Sequence, residues 1–197
     1  IELANRVGKR IGQELAIPVY MYEKAAKFPA RENLANIRRG QYEGLPKKLL
    51  KEEGLPDYGP HTFNAKSGAT AVGARMPLVA FNVNLGTDSL EIANQIARNV
   101  RHAGGGLKAV KAMGVKLEER GIVQVSMNMV NYKETPLYRA VELIRAEARR
   151  YGVNVVGSEV IGLVPLEAVV GSLDYYLGLE GFQMQQILET QLWTDES

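Results

Sequence analysis

The chain has 197 residues, 46% of them hydrophobic and 23% charged, with a formal net charge of +2. That composition fits a globular protein with enough chain for one large core or two small ones. It has no cysteine and two histidines, His61 and His102, which excludes disulfides, a thiol nucleophile, cysteine-ligated zinc and a histidine-cluster metal centre. Basic residues are interspersed with glutamate, no apolar run could cross a bilayer, and no leader opens the sequence. The reading is a cytoplasmic protein with no nucleic-acid and no membrane partner.

Val7, Ile11 and Leu15 recur every four residues and Pro18 stops the pattern, predicting an amphipathic helix over 1–16 with these residues as its apolar face. Residues 19–22 read as a short strand. Helical stretches follow at about 31–39 and 42–53, with Gly40 and Gly54 as breakers. Prolines and glycines between Leu55 and about Arg75 predict a long ordered loop. A loop of that length is functional or a linker.

From Pro77 the pattern sharpens. Residues 77–85 alternate as a strand. Residues 88–103 form a helix, with Asp88 and Glu91 spaced as a capping box and Leu90, Ala93, Ala97 and Val100 on one face. Gly104, Gly105 and Gly106 end it. Strands over 107–117 and 122–130 are joined through a hairpin-like connection. Thr135 as N-cap and Pro136 at the first helical position open a helix striped by Leu137, Val141, Ile144, Ala148 and Tyr151. A strand over 153–156 and a helix over about 166–177 complete the series. Strand, helix, strand, strand, helix, strand is the ferredoxin-like split β-α-β order.

In that topology the first and third strands are central neighbours with helices on one face, and side chains alternate between faces. Val79, Phe81, Val83 and Leu85 share one side with Val123, Val125, Met127 and Met129. Asn82, Asn84, Gln124, Ser126 and Asn128 fall opposite. An antiparallel sheet tolerates one wet face, but amides carry both donors and acceptors and suit the edge of a planar heteroaromatic ring such as a pterin. An RNA-binding version of this fold would stack bases on aromatics in those strands. The two strands hold only Phe81, on the helix side.

Several long blocks are distinctive. They are Val19-Tyr20-Met21-Tyr22, Ile37-Arg38-Arg39-Gly40-Gln41-Tyr42-Glu43-Gly44-Leu45-Pro46-Lys47-Lys48-Leu49, Pro56-Asp57-Tyr58-Gly59-Pro60, Gly68-Ala69-Thr70 and Gly73-Ala74-Arg75. Later come Leu78-Val79-Ala80-Phe81-Asn82-Val83-Asn84-Leu85, Gln124-Val125-Ser126-Met127-Asn128 and Val155-Val156-Gly157-Ser158-Glu159-Val160-Ile161-Gly162-Leu163-Val164-Pro165-Leu166. In this order, over nearly the whole chain, they resemble the formiminotransferase family.

The resemblance implies an α/β (α+β) fold of two sandwich-like subdomains, the second the ferredoxin-like βαββαβ unit with an extra C-terminal helix. Residues 1–75 then hold the remainder of the N-terminal subdomain plus a folate loop, 76–180 the C-terminal subdomain, and 181–197 a tail. It implies transfer of a formimino group from N-formimino-L-glutamate to tetrahydrofolate as co-substrate, giving 5-formiminotetrahydrofolate and L-glutamate in histidine breakdown. It also implies a homodimer, ligands bound in a channel between the subdomains, and no metal. The alternative is a non-catalytic folate-binding or interaction subunit of the same family.

By motif the folate loop falls on Gly59, Pro60, His61, Thr62, Phe63, Asn64, Ala65, Lys66, Ser67 and Gly68. The family's general-base histidine belongs to an amino-terminal block that the chain lacks, so the base is unassigned. The substrate's carboxylates call for arginine or lysine. Arg31, Arg38, Lys66 and Arg75 are candidates, with Arg75 favoured.

Overall fold

In the computed structural model, which describes residues 1–194, small side chains anchor the first helix. Helix α1 (Glu2–Glu14) buries Ala4, Gly8 and Gly12, whereas Val7 and Leu15 stand 41% and 62% exposed. Close approach explains the departure from the expected stripe. A Cβ at Gly8 would lie 2.8 Å from the Met21 sulfur, and one at Gly12 would lie 2.6 Å from the Gly59 backbone nitrogen. Of the expected apolar face, Ile11 alone packs against the Val19, Met21 and Ala25 cluster.

The chain divides into two compact units, Ile1–Arg75 and Met76 onward. In the first, β1 (Val19–Glu23) pairs in parallel with β2 (Thr70–Ala74). Strand β2 lies inside the expected 55–75 loop. The expected helices over 31–39 and 42–53 are shorter: α2 (Leu34–Ile37), α3 (Gln41–Lys48), and single 3-10 turns at Pro29–Arg31 and Glu52–Gly54. Gly40, at φ +84°, reverses the chain between α2 and α3. No side chain fits at Gly54, where a Cβ would sit 2.0 Å from the Lys48 carbonyl oxygen.

The second unit comprises β3 (Val79–Leu85), α4 (Leu90–Val100), β4 (Val110–Leu117), β5 (Ile122–Met129), α5 (Leu137–Arg149), β6 (Val155–Ile161) and α6 (Leu166–Leu177). Its sheet is antiparallel in the order β4-β5-β3-β6, the split β-α-β arrangement with one crossover helix in each half. Val79, Phe81, Val83 and Leu85 meet Val123, Val125, Met127 and Met129, and α4 and α5 close over them with Ile96, Val100, Leu137 and Ile144. Helix α6 packs on α5, where the Tyr138 and Tyr175 rings stack at 4.2 Å. A 3-10 turn at Met184–Gln186 and helix α7 (Leu188–Thr194) occupy the expected tail, of which 195–197 lie outside the described residues. No helix among the described residues is long and apolar enough to cross a membrane.

Local chemistry shifts several boundaries. Ser89, not Asp88, caps α4 by accepting from the Ile92 amide at 3.4 Å, and the helix buries Ile96 while Leu90 is exposed. Pro136 occupies the cap position of α5. Thr135 is buried and donates its hydroxyl to the Lys108 carbonyl at 2.6 Å, tying the loop before β4 to the start of α5. Strand β4 begins at Val110 rather than 107 because Ala109 is left-handed at φ +57°. Tyr151 is exposed past the end of α5, where Ala140 is buried instead. Strand β6 starts at Val155 and runs to Ile161, well beyond the expected 153–156.

Candidate functional site

In the first unit the loop Gly59–Gly68 is organised by its own Asn64. The Asn64 side-chain oxygen accepts from the Lys66 and Ser67 amides at 3.0 and 3.1 Å, and its carbonyl accepts from Gly68 at 2.7 Å. This is an asparagine turn. Gly68 is left-handed, and a Cβ there would press the Tyr42 ring at 3.2 Å. Tyr42 of α3 donates its hydroxyl to the Ala65 carbonyl at 2.6 Å and meets Phe63 edge-on. Asn64 also reaches the Ala16 carbonyl at 3.4 Å. His61, Thr62, Ala65, Lys66 and Ser67 are exposed, while Pro60, Phe63 and Asn64 are half-buried.

Beside the loop lies an open cleft of about 310 Å³, lined among others by Tyr20, Arg38, Gln41, Tyr42, Ser67 and Thr70. Tyr20 donates to the Gly54 carbonyl at 2.7 Å, and burial pushes its phenol above the ordinary range. Burial holds the neighbouring Lys48 ammonium, which donates to the Ile37 carbonyl and sits over the Tyr20 ring, below its ordinary value.

The cationic candidates separate clearly. Arg31 is buried and committed to the fold: its Nη1 pairs with Asp57 at 2.8 Å, without hydrogen-bond alignment, and its Nη2 donates to the Glu53 and Leu55 carbonyls. It is not placed to meet a substrate carboxylate. Arg38 is exposed and lines the cleft that Ser67 and Gly68 also line. Lys66 is exposed within the loop, and Arg75 is exposed directly after β2. His102 is exposed in a 3-10 turn following α4. No three potential His, Cys, Asp or Glu ligands cluster among the described residues.

In the second unit the register gathers the uncharged polar residues on the sheet face opposite α4 and α5. Asn82 pairs with Ser126, Asn84 with Gln124, and Asn128 with Ala80. Asn82, Asn84 and Gln124 are buried, at 9%, 3% and 4% exposure, Ser126 is half-buried and Asn128 is exposed. Burial of amides demands partners, and Asn84 and Gln124 find one in Glu159 of β6. Gln124 donates to the Asn84 side-chain oxygen at 2.8 Å, and Asn84 donates to Glu159 Oε1 at 3.3 Å. Gln124 also reaches Glu159 Oε2 at 3.4 Å, and Arg120 from the β4–β5 connection donates to Oε1 at 3.2 Å. Gly157, opposite Asn84, leaves the face open there: a Cβ at that position would touch only the Asn84 amide nitrogen, at 3.7 Å.

Among the described residues the side chains of Asn82, Ser126 and Asn128 make no hydrogen bond to protein. They remain free donors and acceptors beside a fixed carboxylate. The sequence reading missed Glu159 because it ended the last strand before it. The signal was there: Glu159 falls at even spacing with Gly157 and Ile161, on the face that carries the amides.

The sequence matches the formiminotransferase domain family over residues 80–192 and that family's N-terminal subdomain over residues 1–75. The chain is 55% identical over 193 residues to the glutamate formimidoyltransferase of Streptococcus pyogenes serotype M1, covering 98% of this chain and 64% of the relative. It is 47% identical to the glutamate formimidoyltransferase of Thermoplasma acidophilum over 194 residues, again 98% of this chain and 64% of the relative. To the formimidoyltransferase-cyclodeaminase of Rattus norvegicus it is 43% identical over 183 residues, 90% of this chain and 34% of that protein. The chain thus spans less than two thirds of the length of these curated relatives. With both units matched and the resembling blocks distributed over both, the chain belongs to the formiminotransferase family.

Proposed function

We propose that this chain is part of a glutamate formimidoyltransferase, a cytoplasmic homodimer that moves a formimino group from N-formimino-L-glutamate to tetrahydrofolate. The observation that carries this reading is 55% identity, along 98% of the chain, to a glutamate formimidoyltransferase. The two polar features of the structure suit its ligands. Gly59–Gly68 is proposed as the folate loop, set in shape by Asn64 and Tyr42. The amide face of Asn82, Asn84, Gln124, Ser126 and Asn128 offers the paired donors and acceptors that a pterin edge requires.

The chemistry is an amidine exchange. Tetrahydrofolate N5 bonds to the amidine carbon and loses its proton, the bond from that carbon to the glutamate nitrogen breaks, and the departing amine takes a proton. A base, an acid and anionic or hydrogen-bonding groups around the cationic amidine suffice. Arg38, Lys66 and Arg75 are the proposed partners for ligand carboxylates, Arg31 being withdrawn into the fold.

The test is formimino transfer together with tetrahydrofolate binding by calorimetry. Both are measured on this chain alone and on the chain joined to the remaining portion of the Streptococcus relative. Transfer by either preparation supports the reading. Tetrahydrofolate binding with no transfer by either would make the non-catalytic folate-binding subunit the better description.

A further inference from the structure

Within the strands of the open sheet face, Glu159 is the sole carboxylate. The register places Lys111, Met113 and Val115 of β4, Gln124, Ser126 and Asn128 of β5, Ala80, Asn82 and Asn84 of β3, and Gly157 and Ile161 of β6 on its side of the sheet. A carboxylate set among neutral amides needs a reason. For solubility it is misplaced, since Asn84 and Gln124 spend buried donors on both of its oxygens. Those donors fix its position on the open face.

Arg120, its one cationic partner among the described residues, is 53% exposed and belongs to the connection between β4 and β5. An exposed pair of that kind contributes little and separates readily. Glu159 itself keeps 37% of its side chain exposed. The result is a preset anion under a displaceable cover.

We propose that Glu159 is the residue that receives the cationic formimino group, and that Arg120 is the counter-ion the substrate displaces. An amidinium is planar, delocalised and rich in N–H donors, so it meets a carboxylate as a guanidinium does. Asn82, next to Glu159 across β3–β6 and without a protein partner among the described residues, accepts or donates at the edge of the same group. The assignment rests on the transferase reading and names the determinant within it that distinguishes a formimino substrate from a neutral acyl one.

The experiment compares binding of N-formimino-L-glutamate with that of its neutral analogue N-formyl-L-glutamate, alongside tetrahydrofolate, to the unaltered chain, Glu159→Gln and Arg120→Ala, each joined to the remaining portion of the Streptococcus relative. All three proteins are first shown to be folded by thermal denaturation. The unaltered chain is expected to prefer the formimino compound by about 10- to 100-fold, the range of a charge-assisted hydrogen bond. Glu159→Gln should lose that preference while keeping its tetrahydrofolate affinity. Arg120→Ala should bind the formimino compound several-fold more tightly.

A purely structural ion pair predicts something different, namely that both substitutions weaken binding together. That outcome, or an undiminished preference in Glu159→Gln, overturns the assignment and leaves the transferase reading intact. If the unaltered chain, so joined, binds neither glutamate compound nor tetrahydrofolate, the transferase reading falls and the assignment falls with it.

Discussion

Arg31 and Asp57 form an ion pair at 2.8 Å, with side chains only 10% and 3% exposed. Around it the Arg31 guanidinium lies 4.9 Å from the Phe28 ring and 5.2 Å from the Tyr20 ring, and Asp57 Oδ2 accepts the Met21 amide at 2.7 Å. The pair therefore joins the 3-10 turn after β1, the β1 backbone and the segment leading into the Gly59–Gly68 loop. Removing one partner strands the other charge.

Arg31→Ala should cost about 3–5 kcal/mol of stability, the range for breaking a buried pair. Chemical denaturation would measure it. The double change Arg31→Met with Asp57→Asn should recover part of the loss. A small loss from the single change would mean that water reaches the pair.

The Gly59–Gly68 loop, proposed to hold folate, is held at two points that can be tested separately. Tyr42→Phe removes only the 2.6 Å bond to the Ala65 carbonyl, so stability should fall by about 0.5–1.5 kcal/mol and tetrahydrofolate affinity should fall a few-fold. Gly12→Ala acts at the other end, because its Cβ would lie 2.6 Å from the Gly59 nitrogen with backbone on both sides. Neither segment can yield cheaply. A loss of about 1–3 kcal/mol is expected, read as a lowered melting temperature with weakened folate binding.

The second unit was legible because alternation in its central strands sorts apolar from amide residues without ambiguity, and burial follows that sorting at Val79, Phe81, Val83 and Leu85. Where glycine performs the packing, the pattern misleads. Helix α1 offers Val7 and Leu15 as its obvious apolar positions but is seated through Gly8 and Gly12, whose value lies in contacts a hydropathy pattern cannot register. Strand β2, Thr70-Ala71-Val72-Gly73-Ala74, reads as loop for the same reason. Its Gly73 faces the Tyr22 ring, which a Cβ would approach to 2.6 Å. Strand β6 was read short because Gly157-Ser158-Glu159 interrupts its apolar run, and that cost the reading Glu159. Arg31 shows the opposite limit: as a sequence letter it is a candidate ligand, and only its carbonyl and carboxylate partners reveal a structural part.

Between α5 and α6, Tyr176 donates to Glu142 Oε1 at 2.9 Å, and Arg145 also pairs with that oxygen. The Tyr176 hydrogen bond, ahead of Arg145, holds the Glu142 carboxyl below its ordinary range. Burial first, and the same bond second, pushes the Tyr176 phenol up to about 12. The signs are opposite. Glu142, depressed in the fold, contributes stability above the unfolded carboxylate pKa and loses it as pH falls through the folded value. Tyr176, raised in the fold, contributes fully below the unfolded value of about 10 and loses that contribution as pH rises through about 12. Tyr176→Phe should remove this alkaline component from the melting-temperature profile and return the Glu142 carboxyl toward its ordinary range. An unchanged alkaline profile would show that the phenol is solvated.

Asn82 and Asn128 occupy the same face but differ in burial, and that difference separates a ligand surface from a merely wet one. Asn82 is 9% exposed and its side chain makes no hydrogen bond to protein among the described residues, so its amide is open only toward what approaches this face. Asn128 is exposed on β5 opposite Lys111 of β4, where water satisfies it. If the face reads a pterin edge, Asn82→Ala should weaken tetrahydrofolate binding by about 1–3 kcal/mol, through the binding-site partner it leaves unpaired. Asn128→Ala should weaken binding less. If instead the face is only solvated, Asn82→Ala will leave the tetrahydrofolate isotherm unmoved, and the pterin would have to be sought elsewhere on the protein.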